Sequence, residues 1–413
     1  MRKILSVLFV TLTLLSCTSE ENPVIPPTEE FSIYVEKEYK ADNQTKYAVL
    51  HNGDGSVLDF KEVINDDTLK FTLPESTVYH LTIYSSDVYN GAKHSILSTY
   101  LNITANGSIT LGLPTESTLI SGEKSNNFEV KVNHSGNIKI IGISNAIGNK
   151  STSSTVSSNY ASAEMTSDKD LDEHLISLMD MNGRSYYKLF FIEEGKINYT
   201  FDFEEFKTYE HEIQIENQEL NFSSLQVHEM VIRNNALKRA FSRMVFPAGF
   251  FGDQPENYTL GFMDGFSIYE TSISARVRSN SNLSLFIRAR FSALPTLDLA
   301  TPQTLQIKSE NLSNFGLILP ASFERWSARW RYQENNTISM AWSIYGNTTE
   351  IPEFKMPAEL VEQNDHLQKI SDLKLETVTA IKGKYTYEEW LLNEFVERND
   401  PLEFQEVTWT ELY

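Results

Sequence analysis

The stretch RWSARWRYQENNTISMAWSIY, residues 325–345, carries two apolar faces that spacing alone makes legible. Trp326, Ala328, Trp330 and Tyr332 occupy every second position of the first run, and Ile338, Met340, Trp342 and Ile344 do the same in the second. Strand side chains alternate between two sides, so each set shares one face. Closing the runs through Glu334-Asn335-Asn336, with an asparagine in the left-handed region, turns both faces to the same side. The expected cross-strand pairs are Trp330 with Met340, Ala328 with Trp342, and Trp326 with Ile344. Three tryptophans on one hairpin face read as core, since each buries a large area. A stacking platform for sugar rings is the competing reading. Arg325, Arg329 and Arg331 fall on the reverse face.

Upstream, the same alternation sets further arginines against apolar neighbours. In ISARVRS, Arg276 and Arg278 oppose Ile273, Ala275 and Val277, and in LFIRARF, Arg288 and Arg290 oppose Ile287, Ala289 and Phe291. A hairpin joining these runs would collect four arginines on one side, an arrangement that like-charge repulsion across a sheet disfavours unless something compensates. The charge is segregated along the chain: residues 231–331 carry a net +5, whereas 164–219 carry −10 and 350–413 carry −9. Guanidinium offers a planar fork of donors suited to carboxylate, sulfate or phosphate. Two readings follow. The seven arginines form an anion-binding face for an acidic or sulfated glycan or a phosphorylated envelope lipid, or they pair internally with the acidic blocks.

Working outward, residues 31–115 contain short β-runs, with Asn52-Gly53-Asp54-Gly55 as a hairpin turn and Tyr79, Leu81 and Ile83 alternating against His80, Thr82 and Tyr84. Residues 116–219 read as a second β-rich unit with one helix, SDKDLDEHLISLMD (167–180). Residues 220–355 read as an Arg-rich β domain, and 356–413 as a small α+β tail. In that tail Thr386 and Glu389 form a capping box for a helix around TYEEWLLNEFVE. The expected fold is mainly β, several immunoglobulin- or transthyretin-like sandwich units in tandem with a small α+β C-terminal segment.

The sequence offers little catalytic chemistry. Asp168, Asp170 and Asp172 have calcium-loop spacing, but Glu173 and Met179 stand where such a loop needs glycine and glutamate. Acids in a first helical turn give the alternative account. His211-Glu212 and His228-Glu229 are each followed by isoleucine where a zinc-protease helix needs its second histidine. There is no Gly-x-Ser-x-Gly elbow and no phosphate loop. No cofactor is expected, and a net charge of −21 argues against nucleic-acid partners. Phe250 and Phe251, between glycines in GFFGDQPENY, are expected on an exposed loop tip.

The N-terminus supplies an address. Arg2 and Lys3 precede an apolar run, Ile4 to Ser16, that is too short to span a bilayer but suits a signal-peptide core (1–16). Leu14-Leu15-Ser16-Cys17, holding the only cysteine of 413 residues, resembles the lipobox of bacterial lipoproteins. Thr18-Ser19-Glu20-Glu21 resembles the acidic export signal of surface lipoproteins in the Bacteroidetes group. The resemblance implies acylation of Cys17, a tether over 17–30, and outward display from the outer membrane, with the lipid anchor as membrane partner. Asp67-Thr68-Leu69 resembles the O-glycosylation pattern of that group, with Thr68 as acceptor. The expected function is a non-enzymatic binding or adhesion module. An accessory component of an envelope protein complex is the alternative, and a polysaccharide-degrading enzyme the third reading.

Overall fold

The computed structural model describes residues 28–413 apart from 75–77, 90, 104–107, 113–123, 147–150, 152, 169–172, 217–218, 234–235, 247–256, 267, 294–296, 298, 300–303, 321, 335–337 and 398–400. The protein is mainly β, built of several packed sheets with a small helical segment near the C-terminus.

The first group of strands is β1 (Thr28–Val35), β2 (Gln44–Asn52), β3 (Val57–Glu62), β4 (Thr68–Pro74), β5 (Tyr79–Tyr89), β6 (Ala92–Ile103) and β7 (Ser108–Leu111). Sheet β4-β1-β7 lays Phe31, Ile33 and Phe71 on Ala48, Leu50, Leu81 and Ile83 of β2 and β5. The β2–β3 hairpin turns through the expected Asn-Gly-Asp-Gly segment. Gly55 has φ +84°, and a Cβ there would stand 2.4 Å from the Glu353 carbonyl oxygen, so only glycine fits.

The second group is β8 (Lys124–Asn133), β9 (Ile138–Asn145), β10 (Ser153–Val156), β11 (Tyr160–Asp168), β12 (Glu173–Asp180), β13 (Ser185–Phe191), β14 (Asn198–Asp202) and β15 (Lys207–Thr208). Sheets β10-β11-β8-β14 and β15-β13-β12-β9 close over one apolar core as a sandwich. Here the helix expected over 167–180 is corrected: the described residues are strand, 167–168 ending β11 and 173–180 forming β12. His174 to Asp180 are all buried: Ile176 and Leu178 enter the sandwich core, while Leu175 packs with Tyr187, Tyr209 and Phe241 on the other side. A run buried on both faces loses its alternation and is indistinguishable by period from a buried helix.

The third group is β16 (His211–Glu216), β17 (Leu220–Arg233), β18 (Ala236–Phe246), β19 (Asn257–Phe262), β20 (Ile268–Val277), β21 (Leu283–Phe291), β22 (Gln306–Ser309), β23 (Gly316–Ile318), β24 (Arg325–Glu334) and β25 (Ile338–Gly346). The tail adds α1 (Ala358–Gln363), β26 (Lys374–Lys382), α2 (Tyr387–Leu392) and β27 (Phe404–Leu412). The expected capping box is present: Thr386 Oγ1 accepts from the Glu389 N–H, and Glu389 Oε2 accepts from the Thr386 N–H.

Among the described residues the largest sheet has twelve strands in the order β18-β17-β20-β21-β27-β26-β24-β25-β6-β5-β2-β3. This sheet takes strands from three of the expected units, 31–115, 220–355 and 356–413. The tail is no separate unit, because β26 and β27 lie between β21 and β24, and β6 joins β25 by a parallel pair. One face of the sheet carries the tryptophan core. Trp326, Trp330 and Trp342 are buried, and their Nε1–H groups donate to Thr348 O, Glu310 O and Thr99 Oγ1 at 2.7, 2.7 and 2.8 Å.

The β24–β25 faces are as expected, but the register differs by two residues. The pairs are Trp330 with Trp342, Ala328 with Ile344, and Trp326 with Gly346, and the ladder extends to Glu334 with Ile338. A shift of two keeps every side chain on its face. Gly346 explains the choice: a Cβ there would stand 2.5 Å from Leu101 Cδ1 and 3.3 Å from the Trp326 ring, so glycine makes room for the indole.

Candidate functional site

On the reverse of the tryptophan core the strands present Arg276, Ser284, Phe286, Arg288, Arg290, Arg325, Ser327, Arg329 and Arg331. The β20–β21 hairpin sets three of the four arginines, Arg276, Arg288 and Arg290, on one side, and Arg278 follows the last residue of β20. Its register separates them: Arg276 faces Ser284, Arg288 faces Ser272, and Arg290 faces Glu270. No two stand directly opposite, so the repulsion expected of such a hairpin is avoided.

Five of the seven arginines are engaged by carboxylates. Arg288 and Arg290 both donate to Glu270 Oε2, at 3.0 and 2.7 Å, with Glu270 wholly buried. Arg325 pairs with Glu406 and lies over the Trp390 ring at 5.4 Å. Burial lowers the Arg325 pKa, and the Glu406 carboxylate opposes that shift. Arg329 and Arg331 share Glu376, at 3.2 and 3.1 Å. Of the remaining two, Arg276 is exposed and Arg278 donates from Nε to Leu220 O at 3.3 Å. A single seven-arginine anion face therefore does not form, because Glu270, Glu376 and Glu406 already occupy most of its guanidiniums.

The sequence reading named none of these three glutamates. Glu376 shows why: the β24–β26 ladder has a bulge in which Arg329 faces Thr377 and Trp330 faces Leu375. Glu376 is the extra residue: counted from Leu375 it falls on the arginine face and counted from Val378 on the core face, so alternation alone does not place it.

Around Arg329 and Arg331 the sheet leaves a hollow of about 320 Å³, lined also by Asp87, His94, Ile96 and Ser339. Both guanidiniums are nearly half exposed, at 49 % and 44 %. Two cations share one carboxylate, so this end of the hollow keeps a net positive charge on a strongly acidic protein. At the far end, across β25 and β6, Asp87 stands opposite His94, whose Nδ1 is 2.6 Å from Ser339 Oγ. A ligand lying here meets cations at one end and hydrogen-bond acceptors at the other. A larger hollow of about 740 Å³ lies near Asp54, His80, Asn102 and Glu350. Its polar groups are engaged locally: Asp54 with Ser56, His80 with the Asn102 N–H, and Glu350 with Lys308.

Of the other candidates, Thr68 opens β4 and is exposed. Asp168 ends β11, paired with Lys124, while Asp170 and Asp172 lie outside the described residues, as do Cys17, Phe250 and Phe251. His228 and Glu229 are buried in β17, and His211 meets Asp264 at 2.6 Å. Among the described residues no helix is long and apolar enough to cross a membrane.

No protein-family model matches the chain, and no curated protein matches it. Among solved structures, the tip fimbrial protein Mfa3 from Porphyromonas gingivalis, with a C-terminal truncation, matches 41% of this chain and 83% of its own at 12% identity and a TM-score of 0.15. A streptococcal ancillary pilin matches 59% of this chain and 89% of its own at 9% identity and a TM-score of 0.12. At these scores neither likeness bears on function.

Proposed function

We propose that this chain is a non-enzymatic, cell-surface binding or adhesion module that contacts an acidic or sulfated glycan at the Arg329–Arg331 hollow. The observation that carries the reading is the sharing of Glu376 by two half-exposed guanidiniums, which leaves local positive charge on an open sheet face. The lipobox-like Leu14 to Cys17 and the acidic residues after it support display on the outer membrane. Binding of this kind needs no cofactor and no turnover.

The test is retention of the full chain, in nonionic detergent, on immobilised sulfated polysaccharide across a salt gradient. Retention that falls with salt and is lost in Arg329→Ser/Arg331→Ser is the expected result. Flow-through of both proteins would reject glycan contact, and release of reducing ends from the polymer would reject a purely binding role.

A second reading has its own observation. The carboxylates of tail strands β26 and β27 hold arginines of β24, so the charge segregation serves internal assembly, as an accessory component of an envelope complex would require. A lowered unfolding midpoint in Glu376→Gln/Glu406→Gln, with no glycan retention by the unaltered chain, would favour it.

A further inference from the structure

Beside the hollow, the same open face carries hydroxyls in lateral register. Ser284 of β21 stands opposite Thr410 of β27, Thr410 opposite Thr379 of β26, and Thr379 opposite Ser327 of β24. One step along the strands, Thr377, Arg329, Ser343 and Ser98 form a second rank over β26, β24, β25 and β6. All eight are at least partly exposed. Phe286 and Leu412 flank the ranks and are 38% and 45% exposed. Thr379 Oγ1 and Thr410 Oγ1 bond each other at 3.0 Å, and Ser284 Oγ donates to Thr410 O at 3.2 Å.

Neighbouring strands lie ~4.8 Å apart, so the first rank repeats a hydroxyl at about that interval, the order of one sugar unit in an extended chain, while the second sets Arg329 between its hydroxyls. Hydroxyls both donate and accept, which suits a polyhydroxylated ligand whose groups do the same. The Phe286 ring gives sugar C–H faces a surface to rest on. Arg329 lies within the second rank and supplies the charge complementarity that selects an acidic polymer over a neutral one.

We propose that an extended acidic polysaccharide lies across the strands, running along the Ser284–Thr410–Thr379–Ser327 rank with its acid groups directed to Arg329 and Arg331. This rests on the glycan-binding reading above and assigns the direction and extent of the bound chain. The binding unit is then several sugars long.

The test compares three proteins: the unaltered chain, Thr379→Val/Thr410→Val, and Arg329→Ser/Arg331→Ser. The threonines bond each other, so replacing both with an isosteric β-former leaves no orphan partner between them and preserves the fold. The probes are dextran sulfate, polygalacturonate and a sulfated disaccharide, the two polymers separating sulfate from carboxylate recognition. The inference expects the valine variant to bind the favoured polymer about tenfold more weakly and the disaccharide unchanged, as loss of contacts along a chain requires. The serine variant is expected to lose both. If the serine variant loses binding but the valine variant keeps full polymer affinity, the track is wrong and the hollow stands. If the serine variant binds normally, both readings fall. Should the valine variant misfold, Ser284→Ala/Ser327→Ala takes its place. A polymer-free dimer that the valine variant abolishes would assign the face to a second copy and overturn the proposal.

Discussion

Arg290 lays its guanidinium against Glu270 with Nη2 2.7 Å from Oε2, where the carboxylate side chain has no exposure and the arginine only 8%. Arg288 donates to the same oxygen from the neighbouring position of that strand face. Removing one partner of such a pair strands a buried charge, which costs about 3–5 kcal/mol. Glu270→Ala is therefore expected to lower the unfolding free energy by that amount, read from the shift of the urea midpoint. Glu270→Leu combined with Arg290→Met should cost less than Glu270→Ala alone. Equal losses would show that packing, and not the stranded charge, sets the penalty.

A buried polar chain crosses the tryptophan core. His51 Nε2 lies 2.9 Å from Thr82 Oγ1, Thr82 Oγ1 lies 2.7 Å from Thr99 Oγ1, and Trp342 donates to Thr99 at 2.8 Å. Thr99→Val keeps the volume but leaves the indole N–H and the Thr82 hydroxyl without this partner, for an expected loss of about 1–3 kcal/mol. Equilibrium denaturation of that variant beside Thr410→Val, whose partly exposed hydroxyl bonds that of Thr379, is the check. Equal, small effects would deny the chain a structural role.

His51 also gives the protein an acid limit. Burial, and secondarily His80, push its pKa from 6.5 down to about 4. The unfolded chain then binds the proton more readily than the folded one. The stabilisation is complete above pH 6.5 and is lost as pH falls toward 4, with a slope of up to about 1.4 kcal/mol per pH unit. Stability measured from pH 7.5 to 4 should fall along this window, and His51→Gln should flatten that part of the slope. An unchanged slope in the variant would assign the acid sensitivity elsewhere.

Gly55 is predicted to be intolerant of any side chain. Gly55→Ala combines a positive φ with a Cβ 2.4 Å from the Glu353 carbonyl, and the Lys355 N–H to Gly55 O bond of 3.1 Å ties that loop down. A loss of about 2–5 kcal/mol is expected in thermal or urea unfolding, against about 1–2 kcal/mol for alanine at Gly91, which also has positive φ but no atom within 4 Å. Equal penalties at both sites would mean that φ strain alone sets the cost.

The parts of the fold legible in the sequence were those governed by local geometry. The Thr386–Glu389 box needs residues only three apart, and the Asn52 to Gly55 turn needs only four. The residues 173–180 misled because their apolar run satisfies two different cores, one on each side of the strand. The β24–β25 register slipped by two because hydrophobic spacing cannot tell Trp326 opposite Ile344 from Trp326 opposite Gly346. The space above that glycine is filled by Leu101, more than two hundred residues away in sequence. At the candidate site the arginines could be found by spacing, but Glu376 could not, since alternation counted from the two sides of its bulge gives opposite faces.

The sequence by itself determined which side of each arginine-bearing strand is apolar, because side-chain direction in a strand has a period of two and needs no partner. It also determined that positive charge is concentrated in one block between acidic ones. Only the tertiary structure decided that β27 and β26 enter between β21 and β24, and so which carboxylate each guanidinium meets. Strand order is a non-local choice: any strand with a free ladder edge and a compatible face can pair with any other, and the selection rests on packing and charge summed over the whole sheet.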